Sequence, residues 1–379
     1  MDQEVGSPPA VGAAAGSVAE SRTGLGVAPA TGPVVAAPDL ILRIDALPGG
    51  SFAASVTDGA GTELLAPEKA ATFSLGGGAQ PILQQFRTVT LRPNRDWEGA
   101  INDLGEQLWD MVPEGVRAFY WREMHGQDLS VLVASDEPSM AWELVKPRPG
   151  PAGETAPMLG RAFAMTRWKQ ERPLLGSVAV SGFAAIAPAY NGRRLPGAAG
   201  EIGTLANRYG AREVPGTFAT VGTELRSPTI DAIHFSGHGA FDPATPEEGQ
   251  LVLSDRPLRL ADVSDVDFRR AQRPPLVFLN ACQVGRQGWT STGVGGWAAA
   301  FRDAGCAAFV GPYWSVNSQI ASLAALQFYQ ELETETLGRA MRAVRNRFAT
   351  DARAAFHPTW LAYTVHGHPN ATVRFAPGA

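Results

Sequence analysis

Two reactive side chains in this sequence stand at the ends of short apolar runs. Ala232-Ile233-His234-Phe235 leads into Ser236-Gly237-His238-Gly239, and Leu276-Val277-Phe278-Leu279 leads into Asn280-Ala281-Cys282-Gln283-Val284-Gly285. Runs of this length, bounded by turn residues, predict buried strands. Parallel neighbours in an open α/β sheet present their carboxyl ends on one edge, where such folds place their sites. His238 and Cys282 are therefore expected to meet. A thiolate attacks a carbonyl where a thiol does not, and an adjacent imidazole can take the thiol proton and later protonate the leaving amine. Gly237 and Gly239 permit a tight turn that brings a backbone N–H toward the substrate oxygen, which with the N–H of Cys282 would make an oxyanion hole. Taken singly, a cysteine after an apolar strand reads as a small buried hydrophobe. A single histidine reads as a structural residue, and His234, inside its strand, is an example. The pairing of the other two sets them apart.

The elements that must hold this pair follow from periodicity. Leu40, Leu42 and Ile44 alternate with Ile41, Arg43 and Asp45, and Pro48-Gly49-Gly50 turns the chain into 52–56, so a small hairpin is expected. Trp97, Ile101, Leu104, Leu108 and Met111 recur every three or four residues, which predicts a helix over 96–112 with one buried face. A buried strand is expected at 129–134, a helix start at Ser135-Asp136-Glu137-Pro138 with Trp142 and Leu144 inward, and a second strand–helix unit over 178–208. Strands at 230–235, 251–253, 276–279 and 307–310 then alternate with a helix near 296–304. Helices at 318–332 and 337–348 and late strands at 360–365 and 372–375 complete the pattern. Such an alternation predicts an α/β protein whose mostly parallel central sheet is covered on both faces. No internal repeat of fixed period is present.

Composition bounds the remaining possibilities. The chain has 379 residues, 45% of them hydrophobic and 18% charged, enough to bury a sizeable core. A formal charge of -5 and no Lys/Arg stripe argue against a nucleic-acid partner. Lysine occurs only at Lys69, Lys146 and Lys169, which with abundant Ala and Gly suggests a GC-rich bacterial genome. The two cysteines, Cys282 and Cys306, form neither a disulfide framework nor a C-x-x-C metal site, so a reducing cytoplasm is expected. No run approaches the roughly 20 apolar residues that span a bilayer, and the start lacks the order of a secretory signal, so the expectation is a soluble, intracellular chain without a membrane partner. Residues 1–37 are rich in Ala, Gly, Pro, Ser and Val and read as a flexible tail. The expected regions are that tail, an N-terminal part over 38–175 and a catalytic half over 176–379.

A small residue before the cysteine, a glycine after it and a histidine roughly 50 residues upstream form a known caspase signature. Here Ala281, Cys282 and Gly285 stand with His238 forty-four residues earlier. The runs 234–239 and 279–285 resemble the CHAT family of caspase-like (clan CD) proteins, relatives of separase and caspases. Gly295-Gly296-Trp297 with Ala300-Phe301 and Ala304-Gly305 is similar to the family's helix after the cysteine, and Phe309-Val310-Gly311-Pro312-Tyr313-Trp314-Ser315-Val316 to its next strand and Trp loop. Asp136-Glu137-Pro138 with Ala141-Trp142-Glu143-Leu144, and Leu195-Pro196-Gly197-Ala198 with Glu201, resemble upstream landmarks, extending the likeness over 39–376. The resemblance implies a caspase-like three-layer sandwich preceded by the hairpin region, and cysteine endopeptidase activity without cofactor or metal. It assigns His238 as acid/base, Cys282 as nucleophile, and the backbone of Gly239 and Cys282 as oxyanion donors. Tyr313, Trp314 and Ser315 would line a groove for an extended protein substrate, although Trp314 reads equally as a core aromatic. It also implies a bacterial defence or cell-death setting, with an activating partner or sensor. Where the family carries an acid and then a threonine after the Trp loop, this chain has Ser318 and Ala321, so no Arg or Lys preference carries over. Asp242, Glu247, Glu248 and Asp255 are alternative sources of negative charge, each equally readable as solvated loop.

Other motifs carry less. Gly76-Gly77-Gly78 lacks the Lys and Ser/Thr of a phosphate loop and reads as a flexible turn. His357, His366 and His368 want a further ligand to hold a metal, Cys306 sits in an apolar context, and Glu143 reads as a buried ionic contact. A catalytically silent interaction module and a small-molecule cysteine amidase remain as competing functions, the amidase requiring a closed pocket rather than an open groove.

Overall fold

The structure, a computed structural model, describes residues 35–74, 79–91, 93, 96–168, 174–242, 245–270, 274–290, 293–351 and 356–376. The tail expected over 1–37 falls outside these except for its last three residues, and the turn at Gly76–Gly78 lies outside them entirely.

Alternation in the first apolar run puts Leu40, Leu42 and Ile44 on one buried face of β1 (Leu40–Ala46). The chain returns antiparallel as β2 (Phe52–Asp58), Leu40 opposite Asp58 and Ala46 opposite Phe52, so the expected hairpin is present. Helices α1 (Ala79–Leu91) and α2 (Trp97–Asp110) follow, α2 burying the predicted Trp97, Ile101, Leu104 and Leu108. Strand β3 (Ser130–Ser135) lies parallel to β1, and β4 (Ala164–Trp168) parallel to β3. The second half supplies β5 (Phe183–Ile186), α3 (Ala198–Tyr209), β6 (Arg212–Val214), β7 (Ala232–Gly237), β8 (Leu276–Ala281), α4 (Trp297–Ala304), β9 (Ala308–Pro312), α5 (Ser318–Glu331), α6 (Leu337–Phe348) and β10 (Tyr363–His366).

These strands form one mixed, mostly parallel sheet in the order β2-β1-β3-β4-β10-β9-β8-β7-β5-β6, with a short strand, Glu63–Leu65, outside β2. Residue 175 is no break in it, because β4 pairs with β10 from the far end of the chain. Period-two alternation sorts the core into layers. Ala232, Leu276 and Phe278 pack with Ile202, Phe328 and Met341 of α3, α5 and α6. Ile233, Phe235, Val277 and Leu279 pack with Trp297 and Phe301 of α4 and with Val221 and Leu225. Burial on both faces is why these strands read as unbroken apolar runs, and the three-layer α/β fold of the sequence reading is present.

Glu143 ties together three neighbouring strands in the middle of the sheet. Its carboxylate accepts from Arg167 on β4 (2.8 Å), Thr364 Oγ1 on β10 (2.7 Å) and the Tyr313 hydroxyl just past β9 (3.0 Å). Burial raises its pKa, and the Arg167 charge and hydrogen bonds outweigh burial and bring it to about 2. The buried ionic contact expected for this residue is real.

Three expectations change in detail. No helix starts at 135–138. Ser135 and Glu137 instead bind the local backbone, Glu137 accepting from the N–H of Ser139 and Met140, and local bonds of this kind compete with helix formation. Trp142 and Leu144 are buried in a 3-10 turn, Trp142–Leu144. The strand expected near 178–188 breaks in two at Ser181, where the Asp231 carboxylate takes the N–H groups of Ser181 and Gly182. Its first piece, Ser177–Val180, pairs with Thr372–Phe375 outside the main sheet. The strand expected from 360 begins at Tyr363, after a 3-10 turn, Pro358–Leu361.

Candidate active site

Strands β7 and β8 are adjacent and parallel, Ser236 opposite Asn280 and Gly237 opposite Ala281. His238 and Cys282 are the next pair along this register, on strands about 4.8 Å apart. His238 is exposed, and Cys282 is a half-buried free thiol. Among the described residues, the imidazole and the thiol make no hydrogen bond with each other. The two sequence-predicted residues are thus brought side by side on one sheet edge, in a loose arrangement of the kind common before substrate binds.

Neither glycine of the histidine loop has a positive φ, so the expected tight-turn role is corrected to one of close approach. A Cβ on Gly239 would lie 2.8 Å from the Cys282 carbonyl oxygen, and one on Gly237 would lie 2.6 Å from the Tyr190 hydroxyl. The His238 carbonyl accepts from Val252 N–H at 2.9 Å. Gly239 opposite Leu251, the next rung of that antiparallel ladder, is therefore a non-hydrogen-bonded pair whose N–H groups the ladder does not use. The strain falls on the cysteine side, where Gln283, directly after Cys282, adopts φ +64. A non-glycine residue seldom takes this left-handed conformation except at functional turns. Gly285 N–H then ties the loop to Pro312 at 2.9 Å.

Tyr190 is a site residue that the sequence reading missed. Its hydroxyl accepts the His238 backbone N–H at 2.9 Å and donates to the Val252 carbonyl at 2.9 Å, and its ring lies 4.6 Å from the imidazole. Burial raises its pKa, as does the charge of Cys282, against the lowering effect of the His238 hydrogen bond. The signal was Tyr190-Asn191-Gly192-Arg193, in which Asn191 and Gly192 both take positive φ and Tyr190 pairs with Arg193, the two-residue turn that Asn-Gly favours.

The groove residues fare differently. Tyr313 and Trp314 do not present side chains to a groove, which corrects the expectation for Tyr313 and, of the two readings of Trp314, selects the core aromatic. Tyr313 is buried against Glu143 and under Arg167, and Trp314 is 1% exposed, its ring stacked on Phe86 of α1 at 5.7 Å. Ser315 is half-buried at the rim. Asp242, Glu247, Glu248 and Asp255 are exposed, and Asp255 takes the Phe218 N–H at 2.9 Å at the start of the helix Phe218–Leu225. Arg286, four residues past Cys282, is buried. Burial lowers its pKa, the Arg87 charge adds to this and Asp242 opposes it.

The remaining candidates are structural. Cys306 is buried, which pushes its thiol up to about 12. Burial holds His366 down to about 3 and His368 to about 4. Among the described residues no cluster of His, Cys, Asp and Glu could hold a metal, and no helix is long and apolar enough to cross a membrane.

The sequence model of the CHAT domain family matches residues 159–368, a narrower span than the 39–376 of the resemblance. The structure is similar to the separase–securin complex of Saccharomyces cerevisiae, at 10% identity over 89% of this chain and 30% of that chain, with a TM-score of 0.51. It is also similar to the Arg-specific cysteine proteinase gingipain R, at 17% identity, 74% and 77% coverage and a TM-score of 0.44. Porphyromonas gingivalis RgpB in its pro- and mature-domain complex gives 17% identity, 74% and 78% coverage and 0.43. At 10% identity the separase likeness is one of fold. No curated protein matches the chain.

Proposed function

Because this chain belongs to the CHAT domain family, we propose that it is a cysteine endopeptidase that cuts a protein substrate with Cys282 as nucleophile and His238 as acid and base. The observation that carries this reading is the register of β7 and β8, which makes the two residues the next rung beyond Gly237 and Ala281. His238 takes the Cys282 thiol proton, the thiolate attacks the peptide carbonyl carbon, and the oxyanion accepts from the N–H groups of Gly239 and Cys282. The Gly239 assignment is supported by Tyr190, which occupies the His238 N–H, and by the ladder that leaves the Gly239 N–H unused. His238 then protonates the leaving amine, and the acyl group stays on sulfur as a thioester. In the second half His238 takes a proton from water as the oxygen attacks the thioester carbonyl carbon, the C–S bond breaks, the Cys282 thiolate recovers the proton from His238 and the acid leaves.

Substrate contact beyond the carbonyl falls to Ser315 and the backbone past β9, where an extended peptide adds as a strand. Both cysteines are free, which suits a reducing cytoplasm. The family resemblance supports a bacterial defence or cell-death setting with an activating partner or sensor protein. The test is incubation with proteins encoded beside it, reading fragments by mass spectrometry. Cys282→Ala is expected to abolish cleavage, and undiminished cutting by that variant would remove the assignment.

A further inference from the structure

Glu201 of α3 is a carboxylate 1% exposed, and no step of the proposed reaction uses it. Its Oε1 lies 2.8 Å from Nε2 of the fully buried His234 and accepts from Asn280 Nδ2 at 2.8 Å. Its Oε2 accepts from the hydroxyls of Ser236 at 2.8 Å and Ser322 at 2.7 Å. Burial raises its pKa, and the charge and hydrogen bond of His234, with the bonds from Ser322 and Asn280, outweigh burial and hold it below the usual range. A buried charge so fully satisfied is retained for a reason other than packing alone.

Two of its donors are register partners. Ser236 on β7 stands opposite Asn280 on β8, and each lies two residues before His238 or Cys282, two rungs below the reactive pair. A single carboxylate therefore bridges the catalytic strands at that rung. The bridge extends sideways, since Asn280 Oδ1 accepts the Tyr363 hydroxyl at 2.7 Å from β10. Burial raises the pKa of Tyr363 well above its ordinary value, and the charges of Glu201 and Cys282 add to this.

We propose that Glu201 is a positioning residue for the dyad: by bridging Ser236 and Asn280 it fixes the relative height of the two strand ends, and with it the reach of His238 to Cys282. This rests on the peptidase reading. It separates from a merely stabilising role through coupling, because a positioning residue loses its effect once the imidazole is gone.

Alkylation of the full chain by iodoacetamide, followed at the Cys282 peptide, reads this without a substrate, the other cysteine being buried. At pH 7 His238→Ala is expected to slow Cys282 alkylation about tenfold or more, Glu201→Gln to slow it by a similar factor, and the double variant to add less than about twofold. At pH 10, where alkylation no longer needs a base to take the thiol proton, all three are expected to react at the parent rate. Ser236→Ala and Ser322→Ala each delete one donor to the same oxygen, from a catalytic strand and from a helix. The first is expected to lose part of the His238 dependence and the second to keep it, with similar losses of Tm. Additive effects of Glu201→Gln and His238→Ala, or equal losses of His238 dependence in the two serine variants, overturn the proposal. If Glu201→Gln does not fold, the serine pair decides alone. A parent chain whose alkylation at pH 7 is indifferent to His238→Ala sinks the dyad itself, a distinguishable failure.

Discussion

Replacing Gly239 by alanine tests the oxyanion geometry at its tightest point. The added methyl would sit 2.8 Å from the Cys282 carbonyl oxygen, 3.0 Å from Val284 Cγ1 and 3.2 Å from Ala281 Cβ, where ordinary contact begins at 3.4 Å. Val284 can rotate away, but the carbonyl belongs to backbone, so the two loops must separate by roughly half an ångström at Cys282. Overpacking of this kind costs about 1–3 kcal/mol, or a few degrees of Tm at ~2–4 °C per kcal/mol. The catalytic effect is larger, because the Gly239 N–H moves off the oxyanion position, and loss of one such donor lowers kcat by about 10²–10³. The assay is kcat and KM on a cleaved peptide, with Tm measured on the same preparation. The expected result is a fall in kcat of about a hundredfold, little change in KM and a modest loss of Tm. A variant with lowered Tm and full kcat would show that the loops part without consequence and that the oxyanion is held elsewhere.

Tyr190→Phe keeps the ring against the imidazole and removes the acceptor of the His238 N–H. It is expected to lower kcat several-fold and stability by about 1–3 kcal/mol, and unchanged kcat would show that the histidine loop holds itself. Acid stability follows from the buried histidines. His366 and His368 stay neutral in the fold down to about 3 and about 4, while the unfolded chain takes up those protons near the ordinary value of 6.5. The unfolded state binds more protons throughout that window, so stability is complete above about pH 6.5 and is lost as the pH falls toward 3. Glu143, at about 2 in the fold, adds a further loss below its ordinary 4.5. Tm measured against pH should decline across this range, most steeply below 4.5, and a flat profile from pH 6.5 to 4 would contradict the burial of both imidazoles.

The reactive pair was legible because both strands are buried on two faces. That burial turns 232–235 and 276–279 into unbroken apolar runs whose ends can be located, and register then carries His238 and Cys282 to one edge. The burial of Trp314 was legible only as one of two equal readings, because its cover was not. Helix α1 contains Pro81 in its first turn and Thr88-Val89-Thr90 near its end, a weak helical pattern, and without α1 there is no Phe86 to stack on the indole. Glu201 stood out only by resemblance. Its four donors come from 234, 236, 280 and 322, a convergence that no local pattern encodes. The helix start at 135–138 misled because Ser and Glu at those offsets serve a turn as readily as a cap.

The place of β10 bears on how the molecule folds. Residues 363–366 insert between β4 and β9, closing a loop of roughly 200 residues back to Arg167. Pairing across so long a separation is slow to form. Until it does, a folding chain already carries its thiol and imidazole but lacks the strand that delivers Tyr363 to Asn280 and Thr364 to Glu143. A chain cut before Tyr363 would keep both side chains and lose the hydrogen bonds that hold Asn280 and Glu143 from β10.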